Sequence, residues 1–191
     1  MNRSSPSRRR LSTSRASRAT PDCLNVLTAD EAQAVFREVL SARPEVVADV
    51  RRAAGRLLAS VSCSDVDRRV FRVLQALDLD DLKAGRRVGG YVEPTEAAWQ
   101  MIEESVEPFF VDLQRRLKLR HEDEALKVCR GIVAGLYRAA QHRFDVLEDA
   151  DDCPSETASR TLRLWRRGRK TADLGRDFVE KHAPEWDWLV G

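Results

Sequence analysis

The chain has 191 residues, of which 42% are apolar, and its 33 Lys and Arg against 31 Asp and Glu give a formal net charge of +2 at pH 7. That is enough apolar material to bury a core without a disulfide or metal staple, and no apolar run approaches the ~20 residues of a membrane span. Residues 1–21 hold Arg3, Arg8, Arg9, Arg10, Arg15 and Arg18 with no acid, so the remainder stands at −4, which argues against a globally basic nucleic-acid binder.

In chain order, residues 1–22 come first, a Ser/Arg-rich tail. Leu11 is almost its only sizeable apolar side chain, so the tail cannot offset its ordering entropy and is expected to be disordered. Ser7, Arg8, Arg9, Arg10 and Leu11 faintly echo a twin-arginine signal, but Ser12-Thr13-Ser14-Arg15 replaces the apolar stretch that must follow, so export is not expected. A transit peptide would fit the composition but lacks an apolar helical face. Two uses stay open: an electrostatic arm for a polyanion such as nucleic acid, with Arg8, Arg9 and Arg10 its densest cluster, or an extension without function, such as one set by the choice of start codon.

Residues 23–191 read as a single all-α domain. Thr28-Ala29-Asp30-Glu31 has the form of a capping box and predicts a helix start. Ala32, Val35, Phe36, Val39 and Leu40 follow at helical spacing, and Pro44 stops that helix while suiting the first turn of the next. Val46, Val47, Val50, Ala54, Leu57, Leu58 and Val61 line the second helix. Ser62 or Ser64 caps a third, which carries Val66, Val70, Val73, Leu74 and Leu77. Periodicity lapses over residues 78–94, where Gly85, Gly89, Gly90 and Pro94 predict a short turn and then a long loop. Thr95 is expected to cap the longest helix, with Trp99, Ile102, Val106, Phe109, Phe110, Leu113 and Leu117 on its apolar face and a kink at Pro108.

The partner helix spans 122–142, completing a central hairpin of about 95–142, and Gly131 and Gly135 offer a neighbouring helix a close approach. An acidic loop over 145–152 leads to a helix capped by Ser155, and a final short helix starts from Thr171. Trp186, Trp188 and Leu189 are expected to dock on the body. Strand-type alternation is nowhere sustained, so antiparallel helix pairs are expected, as a bundle or a short solenoid of the HEAT or TPR kind.

Motifs for chemistry are absent. The four cysteines never form C-x-x-C and read as reduced cytosolic thiols, mostly core filler. His121, His142 and His182 lack H-E-x-x-H and E-x-x-H spacing, so no metal is expected. Glu103, Glu104 and Glu107, like Asp78, Asp80 and Asp81, read as solvated helix ends. No phosphate-binding glycine loop or nucleophile elbow occurs, so neither a cofactor nor a catalytic residue is assigned. Arginine far outnumbers lysine, a bias that points to a GC-rich coding sequence.

Two surface features remain. At ~100° per residue, Arg160, Arg163, Arg166, Arg167 and Lys170 share an arc of roughly 120° on one helix, opposite Leu162 and Trp165, a cationic face able to contact phosphates unless the acidic loop neutralises it. Arg86, Arg87, Gly89, Gly90 and Tyr91 form a loop that delivers two arginines and a ring to a helix N-terminus, which favours anions.

The segments Gly90-Tyr91-Val92-Glu93-Pro94-Thr95-Glu96-Ala97-Ala98-Trp99 and Cys129-Arg130-Gly131-Ile132-Val133-Ala134-Gly135-Leu136-Tyr137 resemble the helical region of uncharacterised prokaryotic proteins that also occurs beside SWIM-type zinc fingers. The resemblance covers about residues 28–168 and implies a helical-repeat interaction domain. The finger's C-x-C and C-x-H pairs are absent, so its zinc and DNA roles are not carried over. The expectation is a non-enzymatic cytoplasmic module that binds a protein partner, with nucleic-acid association through the tail and residues 160–170 as the alternative.

Overall fold

The computed structural model describes residues 23–82, 85–87, 90–142, 144–148, 150–167 and 173–190. The expectations for residues 1–22, Arg8, Arg9 and Arg10 among them, and those for Gly89 and Lys170 lie outside these. The described chain is helical: α1 (Ala29–Ala42), α2 (Val47–Ala59), α3 (Cys63–Gln75), α4 (Pro94–Lys118), α5 (Glu122–His142), α6 (Asp145–Glu148), α7 (Cys153–Arg166) and α8 (Arg176–His182). None of these helices is long and apolar enough to cross a membrane. The chain divides into two compact units, Met1–Arg51 and Arg52–Gly191, with the boundary inside α2.

In the first unit the capping box forms as its sequence predicts. The Glu31 amide donates to Thr28 Oγ1 at 3.3 Å, while the Thr28 amide and hydroxyl donate to Glu31 Oε2 at 2.8 and 2.9 Å. These bonds hold the Glu31 carboxyl below its usual pKa. Pro44 opens a 3-10 turn, Pro44–Val46, that leads straight into α2.

The second unit is built around α5, which packs against α3, α4, α7 and α8. Gly131 to Leu136 are all buried, and their neighbours in the core are Val66, Val70 and Leu74 of α3, Ile102, Val106, Phe110 and Leu113 of α4, and Leu162 and Trp165 of α7. Gly131 and Gly135 do serve a close approach. A Cβ at Gly131 would lie 2.5 Å from Val66 Cβ and 2.7 Å from the Cys63 carbonyl oxygen; at Gly135 it would lie 2.6 Å from Val70 Cβ and 2.9 Å from the Asp67 carbonyl oxygen. Arg138 reinforces the same contact from one turn on, 3.2 Å from the Asp67 carboxylate and over the Phe71 ring at 4.1 Å.

Arginine also ties the ends together. Arg116, almost fully buried, donates to Asp112 at 2.9 Å and to the Leu58 carbonyl at 2.6 Å, which satisfies an orphan acceptor in the last turn of α2. Arg130 donates to the Leu174 carbonyl at 2.8 Å, beside Gly175, whose φ of 82° suits glycine. The C-terminus docks as expected through Leu189, which is buried, and Trp186, whose ring meets Tyr137 edge-on at 5.1 Å, whereas Trp188 remains 39% exposed.

Four local expectations are corrected. The loop after residue 82 contains an antiparallel hairpin, β1 (Gly85–Arg87) with β2 (Gly90–Val92), because a strand pair three residues long is too short to show alternation. α4 starts at Pro94 with Glu93 as N-cap, not after Thr95, and α7 starts at Cys153 with Asp152 as N-cap, not after Ser155. In both, proline occupies the first turn, where its missing N–H costs nothing. The segment after α5 contains the one-turn helix α6 where a plain loop was expected. α4 continues through Pro108 to Lys118.

Glycine to alanine inside a helix normally stabilises by ~0.5–1 kcal/mol. That gain is expected for Gly55→Ala, because nothing lies within 4 Å of its missing Cβ. Gly131→Ala and Gly135→Ala should do the reverse, each losing about 1–3 kcal/mol through overpacking against backbone, as read by urea denaturation.

Candidate functional site

Of the predicted cationic face, Arg160, Arg163, Arg166 and Arg167 lie within the described residues. Arg160 turns inward across α4, 3.4 Å from Glu103 and 3.3 Å from Glu107, with its guanidinium 4.6 Å from the centre of the Phe110 ring. Glu103 and Glu107 are one turn apart, so one guanidinium reaches both. Those two glutamates are therefore partners of Arg160 and not merely solvated. Arg163 and Arg167 are exposed and Arg166 is half-buried.

In the hairpin, Arg86 pairs with Tyr91 and Arg87 with Gly90. The Tyr91 side chain is 63% exposed. The helix N-terminus that follows has Glu93 as N-cap, with no side-chain cap bond, and Glu96 in its first turn, and their charges lessen its attraction for a further anion.

A third location was not anticipated. Between α4 and α5 the chain reverses through a Schellman turn: the Arg120 amide donates to the Leu117 carbonyl at 3.1 Å and the His121 amide to the Arg116 carbonyl at 3.0 Å. Arg120 takes the left-handed position with φ 60°, the one non-glycine residue with positive φ among the described residues. An arginine there costs about 1 kcal/mol relative to glycine. Beside it lies an open cleft of about 570 Å³ whose lining includes Leu117, Lys118 and Arg120 from the α4–α5 hairpin, Leu164 from α7 and Arg167 just after it.

Compared with family models, with curated proteins and with solved structures, the chain matches none.

Two of the histidines lie against rings and the third faces a carboxylate. His142 sits 5.0 Å from Phe71, His182 stacks on Phe178 at 4.9 Å, and His121 faces Glu124 at 3.7 Å. Among the described residues, no three of His, Cys, Asp and Glu gather as metal ligands. Cys129 and Cys153 are buried as expected, Cys63 is half-buried and Cys23 exposed. Burial pushes the Cys153 thiol up to about 12, and burial followed by the neighbouring Asp67 charge raises Cys63, against a smaller lowering by Arg130.

The first unit contributes an apolar surface. α1 has no buried residue, and along one face Val35, Phe36 and Val39 are 40%, 48% and 44% exposed. At ~100° per residue, Ala32 and Leu40 extend that stripe, while Glu31 and Glu38 share its Val35 flank.

Two outcomes follow from this chemistry. Arg160→Ala should cost about 1–2 kcal/mol, much of it from the ring contact and hence persisting at high salt. Arg163→Ala, which breaks no described ion pair, should stay within ~0.5 kcal/mol. With a thiol-specific chromogenic reagent at pH 8, Cys23 should react at once and Cys63 slowly, whereas Cys129 and Cys153 should react only on unfolding; prompt reaction of Cys153 would contradict its burial.

Proposed function

We propose that the chain is a non-enzymatic protein-interaction module, working in the cytoplasm, that presents the apolar face of α1 to a groove in a partner protein. The observation that carries this reading is the row Val35, Phe36 and Val39, large side chains at helical spacing left 40–48% exposed on a helix with no buried residue. Soluble chains rarely expose apolar stripes without use, and helix-in-groove recognition reads anchors at this spacing. The chemistry of the partner follows from the flank. Glu31, fixed and kept ionised by its capping box, and Glu38 call for basic residues along one rim of an apolar groove. Covering what is now exposed contributes on the order of 1 kcal/mol per anchor, so contact through α1 alone is weak and reversible.

Four free thiols fit a reducing compartment. The resemblance of residues 28–168 to the helical region found beside SWIM-type fingers also supports an interaction domain. The alternative, nucleic-acid association through the tail and residues 160–170, keeps Arg163 and Arg167 but gives up Arg160 to Glu103 and Glu107.

A photo-crosslinking residue at Val39 in cells should capture one defined partner, and the same residue at Ser41, on the polar side of α1, should not. Phe36→Glu combined with Val39→Glu should abolish the capture and leave the unfolding midpoint of the purified chain unchanged. Equal capture from both positions, or a fall in midpoint such as buried-core changes produce, would overturn the reading.

A further inference from the structure

The turn between α4 and α5 poses a specific question: why is its left-handed position arginine? Glycine closes a Schellman turn without strain, and nothing in the hydrogen-bonding of Arg120 and His121 requires a side chain at position 120. Strain kept at one position points to a use for the side chain that bears it. That side chain lines the cleft of about 570 Å³, a volume within the range of ligand sites.

The cleft gathers Lys118 and Arg120 from the α4–α5 hairpin and Arg167 from the residue that follows α7, a different segment. None of the three makes an ion pair with a described residue, whereas Arg116, Arg138 and Arg160 are all paired within the fold. A cation near the C-terminal carbonyls of α4 complements the helix dipole, which accounts for Lys118. It accounts neither for an arginine at a position suited to glycine nor for Arg167. The described lining also includes Leu117, Leu164 and Gln114, and with Glu122 the described lining residues carry a net charge of +2.

We propose that this cleft binds an acidic, aliphatic peptide segment of a partner protein. Carboxylates of the segment meet Lys118, Arg120 and Arg167, and a leucine-like side chain lies on Leu117 and Leu164. Guanidinium groups hold carboxylates through paired hydrogen bonds, and the leucines supply apolar contact that a bare anion would not use. A nucleic-acid strand fits less well, since no ring among the described lining residues is placed to stack a base. The inference rests on the interaction-module reading but uses a surface distinct from α1.

The test uses the full chain and a fluorescein-labelled peptide of alternating glutamate and leucine, followed by anisotropy. Saturable binding is expected, weakened about tenfold by Arg120→Gly and again by Arg167→Glu. Arg120→Gly should not lower the unfolding midpoint, since it relieves the turn, so loss of binding in that variant cannot be ascribed to misfolding. The charge-matched Lys181→Glu, on α8, should leave the affinity unchanged. Equal affinity for a glutamate-only peptide, tighter binding of an oligothymidylate, or indifference to both arginine changes would each overturn the proposal. The α1 cross-link reads a separate surface, so its persistence beside a failed cleft would overturn only this inference.

Discussion

The second unit depends on how closely α3 and α5 approach. With hydrogen at positions 131 and 135, the backbone of α5 comes within van der Waals range of the Cys63 and Asp67 carbonyls, a separation that any β-carbon would forbid. Because α5 also packs against α4, α7 and α8, the contact bears on where those three helices can sit. The two glycines forgo helix propensity of roughly 1 kcal/mol each, and dense packing along several turns offsets it.

Arginine is the second organising element, and here the coding-bias explanation of its abundance is incomplete. Arg138 lies over Phe71, Arg130 over Phe178, Arg160 over Phe110 and Arg69 over Phe109. The first three also bond a carbonyl or a carboxylate on another segment. A flat guanidinium can stack on a ring and donate at its edge at once, which an ammonium cannot do with the same geometry. Cations that appear from composition to be surface charge are in part the fastening between helices.

What was legible in the sequence was local. The Thr28 capping box, the Ser62 cap, the close-approach glycines and the docked C-terminus each depend on residues a few positions apart or on side-chain size, and each is realised. Pro94 and Pro154 take first-turn positions just as Pro44 does, and the hydroxyl residue after each, Thr95 and Ser155, imitates a cap while lying inside the helix. The cationic face shows a different limit. Periodicity correctly puts Arg160 on one arc of a helix, yet it carries no information about Glu103 and Glu107 more than fifty residues away. Arg120 was missed because a backbone dihedral leaves no mark on composition. The nearest signal was a tight reversal, Lys118-Leu119-Arg120-His121, with no glycine to close it.

The phenylalanines carry the argument for α1 a step further. Of the six in the chain, four lie under a guanidinium, and Phe144 joins a ring cluster with Phe71 and His142. Phe36 has no such described cover and is 48% exposed. A chain that covers its other five phenylalanines with arginine or with another ring has the means to cover this one, and Arg37 is its immediate neighbour in sequence. Successive helical residues point ~100° apart, however, so Arg37 cannot reach back over the Phe36 face. The stripe through Val35, Phe36 and Val39 is thereby left to an apolar surface from outside α1, and the acidic flank at Glu31 and Glu38 selects which surfaces can approach it.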